Sequence, residues 1–300
     1  MGWRDGKPAY GDKPISRDIR ENFAYLKTVT DTLLSNTVPG ITLTGAEINA
    51  SLRPELLPGY LQRPLFAYKS LTEIYINPGI YHHAGTVNQN VHWDSQLTFQ
   101  FGSGGSNPDS LDLAGYGWYC VYIDDSAVVA SGSNLLTAAQ FVANTTVPVW
   151  NDAKHGLYNG NDRYIFAVKL YNNCIIQFYH AGDLCMFGDE QESRAMADLD
   201  NVFTDVTLEL PPGATQAQVV FKVDAHGAAA LNRLFWRTDG NAGSGHRALA
   251  IDYVTGGGSW VEATVTVIAS MAGIIEIAFF STGDHQAGVM TSGWYFPIGM

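Results

Sequence analysis

The residues of this chain with types suited to chemistry fall into a few short runs. His82 and His83 are adjacent, with His92 and Asp94 close behind, and imidazole and carboxylate are metal-ligand types. Neighbouring side chains on a strand point to opposite faces, so one ion cannot take both His82 and His83 from a single chain. They read as solvated or hydrogen-bonded strand histidines, and no metal site is expected. Asp124 and Asp125 offer two carboxylates, but a glycosidase needs its pair facing across a gap of about 5–9 Å. Adjacent aspartates diverge, and Ile-Asp-Asp-Ser-Ala reads instead as a hairpin turn returning into a strand at Ala127–Ala130. The oxygen-rich runs Asn159–Asp162 and Asp109–Asp112 read as turns before they read as calcium loops. No GxSxG, HExxH, Walker-type glycine loop or DxDxDG run occurs. The expectation is a protein without catalytic residues, cofactor or metal.

Two loops carry aromatic and amide groups of the kind that hold sugars, with rings to stack on a sugar face and Asn or Asp to meet its hydroxyls. One contains Trp150, His155, Tyr158, Asn159 and Asn161; the other contains Trp236, Arg237, Asp239 and His246, with Asn241 and Arg247 beside them. The competing reading is that the tryptophans are core and the polar residues form turns. The depth of the indoles decides between the two.

The elements that must position these loops are strands. Val91, Trp93, Leu97, Phe99 and Phe101 fall on alternate positions, and Gly117–Ile123 is aromatic or β-branched at nearly every position. Similar runs recur at Leu71–Ile76, Tyr164–Leu170 and Cys174–His180, separated by loops rich in Gly, Asn and Asp. After the acidic stretch 188–194 the pattern restarts at Val206–Leu210, Gln218–Val223, Leu231–Arg237, Ala248–Val254, Val261–Ala269, Ile274–Phe280 and Gly293–Ile298. Charged residues make up only 15% of the chain and 31 residues are glycine, a profile that suits many short strands. The expected fold class is mainly β: an N-terminal helix forming a short coiled coil, then two antiparallel β-sandwich or jelly-roll-like domains. The expected boundaries are 1–38 for an arm and helix, 39–70 for a linker, 71–190 for the first sandwich and 191–300 for the second.

In the N-terminal part, residues 1–14 hold glycines, prolines and Trp3, and read as an extended arm whose tryptophan docks on a neighbour. Ser16 is a fair helix N-cap. From there Ile19, Phe23, Leu26, Thr30 and Leu33 step by four, three, four and three, an a/d seam about two heptads long. A seam this short is marginal alone and must pack on copies of itself or on the body.

Composition narrows the partners. With 17 Lys and Arg against 29 Asp and Glu the net charge is −12, which disfavours nucleic acid and anionic membranes as partners because both call for a basic footprint. Cys120, Cys174 and Cys185 lie in no CxxC pair and read as reduced thiols of a chain made in the cytoplasm. The first residues lack the apolar core of a signal peptide, and no run reaches the ~18 apolar residues of a membrane span.

The run Asn77-Pro78-Gly79-Ile80-Tyr81-His82-His83-Ala84-Gly85-Thr86, then Val91–Phe99, then Gly117-Trp118-Tyr119 with Tyr122–Ser126, resembles a β-domain of phage virion fibre proteins. Gly293-Trp294-Tyr295-Phe296-Pro297-Ile298-Gly299-Met300 looks like the C-terminus of the same proteins. The resemblance covers most of residues 74–190 and brings no catalytic motif. It implies a structural virion protein: a tail-fibre or spike-type homotrimer, held at its N-terminus by another virion protein, with distal β-sandwich loops available for host surface glycans. A capsid decoration or head-fibre protein shares nearly all these features. A free carbohydrate-binding lectin would need neither the seam nor the arm.

Overall fold

The computed structural model describes residues 37–38, 41–42, 60–102, 116–225, 232–251, 259–280 and 285–296. The chain divides into two units, Met1–Arg53 and Pro54–Met300. In the first, β1 (Thr37–Val38) pairs antiparallel with β2 (Ile41–Thr42). The seam residues Ile19, Phe23, Leu26, Thr30 and Leu33, and Trp3 of the arm, lie outside the described residues.

The second unit begins with β3 (Tyr60–Gln62), β4 (Phe66–Ser70), β5 (Glu73–Ile76), β6 (Gly79–Ala84), β7 (Asn88–Trp93), β8 (Leu97–Gln100) and β9 (Gly117–Ile123). Then come helix α1 (Asp125–Ser131), a 3-10 turn at Ala138–Gln140, β10 (Phe141–Asn144), β11 (Val149–Asn151), β12 (Gly156–Asn159), β13 (Asp162–Tyr171), β14 (Cys174–Ile175) and β15 (Phe178–Ala181). The remainder is β16 (Leu184–Asp198), β17 (Thr204–Thr207), β18 (Gln216–Ala225), β19 (Asn232–Thr238), β20 (His246–Ile251), β21 (Ser259–Ile268), β22 (Ile274–Phe280) and β23 (His285–Tyr295). The protein is therefore mainly β, with strands paired antiparallel in several sheets.

Two small sheets, β3-β6-β7 and β4-β5-β8, accompany a larger one ordered β10-β9-β13-β12-β11, with β14 added to β13. A five-stranded sheet runs β15-β16-β23-β18-β21, and a four-stranded one β17-β22-β19-β20. Strands β9 and β13 are covered on both faces, so Tyr119–Ile123 and Arg163–Val168 are continuously buried. Aromatic rings join the sheets: Phe66 of β4 stacks on Phe166 of β13 with centroids 4.1 Å apart, and Trp118 of β9 meets Trp294 of β23 edge-on at 5.3 Å. One apolar core runs from Phe66 to Phe296 and draws on each sheet of this unit.

The structure departs from the sequence expectations in several places. The acidic stretch 188–194, read as a domain boundary, lies inside the 15-residue strand β16. That strand pairs with β23 from Leu184↔Tyr295 to Asp198↔Gln286. Asp189, Glu190 and Glu192 are exposed there, so the charge marks a solvent-facing strand surface rather than a break. The supposed linker 39–70 contributes β3 and β4, and Phe66 is in the core. The predicted single strands at Val91–Phe101 and Cys174–His180 are each split, and the two parts join different sheets.

Ala127–Ala130 is not a return strand, because Asp124 and Asp125 open α1. Asp124 Oδ1 accepts the N–H groups of Ser126 at 2.8 Å and Ala127 at 3.1 Å, and Gly132 closes the helix in the left-handed region at φ 60°. An N-cap aspartate and a C-terminal glycine at this spacing outweigh the strand preference of Val128 and Val129. All three cysteines are free thiols, with Cys120 and Cys185 buried. Burial pushes the Cys120 thiol up to about 12.

Candidate functional site

The edge strand β11 is the place where large apolar groups meet solvent beside a depression. It pairs only with β12 among the described strands, through Val149↔Tyr158, Trp150↔Leu157 and Asn151↔Gly156. Val147 and Val149 are exposed, and Trp150 is 42% exposed. Its indole is nonetheless fixed, since Nε1–H donates to Asp152 Oδ1 at 2.8 Å. A groove of about 300 Å³ opens here, lined by Thr146, Val147, Val149, Trp150 and Asn151 and by Tyr158, Asn159 and Gly160 of β12 and its turn.

The groove floor rests on two turns. The first leaves β11, where Lys154 N–H donates to Asn151 O at 3.2 Å and His155 takes φ 48°. The second is the β12–β13 hairpin, closed by Asn159↔Asp162, with Gly160 at φ 61°. Lys154 ties the two together by donating to Gly160 O at 2.8 Å and Asn161 Oδ1 at 2.7 Å, with its ammonium 4.8 Å from the Tyr158 ring centre. Tyr158 itself is buried and its hydroxyl is used internally, accepting from Arg163 Nη1 at 2.7 Å and from the Ala84 amide at 3.2 Å.

Behind the hairpin lies a polar centre organised by Asp125. Its Oδ1 accepts from His83 Nε2–H at 2.9 Å and Thr86 N–H at 2.8 Å, while Oδ2 accepts from Thr86 Oγ1 at 2.6 Å and Asn161 Nδ2 at 3.3 Å. The Asp125 amide in turn donates to Asp162 Oδ1 at 2.9 Å. Burial works against the Asp125 charge, but the bonds from Thr86 and His83 together hold its carboxyl below the usual range. His83 is 0% exposed, and burial pulls its imidazole below 6.5 against the pull of Asp125. The ring is neutral, with the Nε2 proton directed at the carboxylate. Among the described residues no group is within hydrogen-bond reach of its Nδ1. Gly85 is required at this point, because a Cβ there would overlap Asp125 Oδ1. His82 is also buried, and its Nδ1–H donates to Asn90 Oδ1 at 3.0 Å.

The sequence-selected residues thus separate into groups. Trp150, Tyr158 and Asn159 line the groove. His155 is half-buried in the turn beside it, and Asn161 faces the other way, into a depression of about 280 Å³ shared with Asp124, Asp125 and Asp162. The second loop does not form a comparable platform. Trp236 is only 7% exposed and sits under His246, with ring centres 5.0 Å apart across the β19–β20 pair. Arg237 is held by Glu276 through Nε at 2.7 Å and Nη2 at 2.9 Å, and lies 3.9 Å over the Phe203 ring. Asp239 is half-buried. Sequence reasoning missed Val147, Val149 and Asn151 as groove-lining residues.

Among the described residues no group of three or more His, Cys, Asp or Glu side chains is placed to hold a metal ion. No described helix is long and apolar enough to cross a membrane.

No protein-family model matches the chain, and no curated protein is significantly similar to it. Among solved structures, the T13 particle of infectious bursal disease virus aligns at 12% identity and TM-score 0.21, over 80% of this chain and 70% of that one. The VP2 subviral particle of the same virus aligns at 9% identity and TM-score 0.19, over 81% and 73%. Superpositions at this level establish no shared fold.

Proposed function

We propose that this chain is a non-enzymatic structural and adhesive protein of a phage virion, a trimeric tail-fibre or spike-type subunit. In this reading the seam from Ile19 to Leu33 trimerises the chain and the arm with Trp3 docks on another virion protein. The β body projects outward as a single unit, and its Trp150 groove touches a host surface glycan. The observation that carries the adhesive part is the fixed, solvent-facing indole of Trp150 beside a groove on an edge strand. Edge strands are normally blunted by charge or covered, and β11 instead presents Val149 and Trp150, with the exposed Val147 just before it. The most distinctive buried titratable groups, His83 and Asp125, are committed to each other, which supports a structural rather than catalytic role for them. The virion assignment rests on the fibre-type motifs between Asn77 and Ser126, and the acidic surface fits a partner other than nucleic acid.

Antibody-labelled electron microscopy of purified particles tests this reading. Label on projecting fibres or spikes supports it. Label spread over the capsid lattice would instead assign the chain to decoration, and unlabelled particles would contradict a virion role.

A further inference from the structure

Resting on the reading of the Trp150 groove as an adhesive surface, we infer that its ligand is a short, uncharged saccharide stacked on the Trp150 indole, and that acidic sugars are excluded. The indole is a ready platform. Its one polar atom is already satisfied by Asp152, so what it offers to solvent is ring surface, suited to the C–H face of a pyranose. Because Asp152 holds the ring in place before any ligand arrives, stacking freezes little additional motion. The volume of about 300 Å³ lies at the small end of the ~300–1,000 Å³ typical of small-molecule sites, which suits a short saccharide. The carboxamides of Asn159 and Asn151 add groups for hydroxyls, with Asn151 Oδ1 already accepting the Lys154 amide at 3.1 Å and its Nδ2 left as the donor.

Charge sets the class. The nearest cation, Lys154, is turned onto Gly160 O, Asn161 Oδ1 and the Tyr158 ring, and Arg163 is fully buried behind it. The rim carries Asp152, on a chain of net charge −12. Among the described residues that line the groove none is cationic, so a sialic or uronic acid carboxylate would meet this negative rim unopposed, whereas a neutral ring meets no such repulsion. The second loop offers no equivalent, since Trp236 is buried and Arg237 is neutralised by Glu276.

The test is binding of the full chain to neutral, sialylated and uronic-acid oligosaccharides on an array, followed by titration of tryptophan fluorescence. Trp150→Ala and His246→Ala are compared with the parent, and circular dichroism confirms that each variant is folded. The expected result is binding of neutral oligosaccharides, weakened roughly tenfold or more by Trp150→Ala and unchanged by His246→Ala. Preference for acidic glycans would overturn the inferred ligand class. Neutral binding that survives Trp150→Ala would overturn the groove while leaving an adhesive function standing. Binding to no glycan would overturn both the inference and the adhesive part of the proposed function, while the virion role is decided separately by particle labelling.

Discussion

Asp125 shows how a residue that looks like part of a turn holds several elements together. Its carboxylate takes bonds from His83 on β6, Thr86 in the β6–β7 connection and Asn161 in the β12–β13 turn, and its own backbone begins α1. Asp125→Ala leaves His83 and the Thr86 amide without their acceptor. It should therefore cost about 1–3 kcal/mol in denaturant unfolding, as expected when buried neutral donors lose their acceptor. Trp150→Ala, at an exposed site, should cost less than about 1 kcal/mol in the same assay.

The buried histidines make a second residue-scale prediction. His83 lies below 6.5 and His180 is lowered to about 4, in both cases mainly by burial. His180 Nδ1 accepts the Phe66 amide at 3.0 Å, so a proton on that nitrogen would face an N–H. Both rings are neutral in the fold and protonate more readily when unfolded. Their stabilising contribution is full above about pH 6.5 and declines as pH falls towards the folded values. The thermal midpoint should drop by roughly 5 °C between pH 7.5 and pH 5. A flat profile over that range would contradict the assignment of both rings as neutral.

At the scale of elements, what the sequence shows clearly is periodicity. Val91, Trp93, Phe99 and Phe101 alternate and are buried, and Gln218–Val223 and Val261–Val267 likewise lie within the strands β18 and β21. What it hides is any element whose polar residues are internal or whose outer face is charged. His82, His83 and Arg163 are buried polar residues within strands, so the hydrophobic pattern passes over them. The exposed acids of β16 look like a linker for the opposite reason, because one face of that strand is wet. Of the candidate site, Trp150, Tyr158 and Asn159 were legible as a loop cluster. The burial of Trp236 was not, since it depends on His246 arriving from the next strand. The helix α1 was signalled by its caps rather than by its interior. Asp124→Ala removes the acceptor for Ser126 and Ala127 amides and should destabilise the protein by about 1 kcal/mol, read from the denaturant midpoint.

At the scale of the molecule, the continuous core and the pairing of β16 with β23 make Pro54–Met300 one unit. Trp294, near the C-terminus, packs against Trp118 and Phe187, so neither half expected from the sequence has a closed core of its own. Calorimetry should therefore show one cooperative transition for this unit, and a chain ending at residue 190 should not fold. Two separated transitions would instead favour independent sandwiches.

The proposed function has the chain assemble into a trimer through the N-terminal seam. Its most direct test is the solution mass of the full chain by light scattering at low concentration, beside that of Leu26→Asp, which places a charge in the seam. The proposed function predicts a three-chain mass for the parent and a single-chain mass for the variant. A full chain that is monomeric, or a variant that stays trimeric, would contradict the seam as the trimerising element.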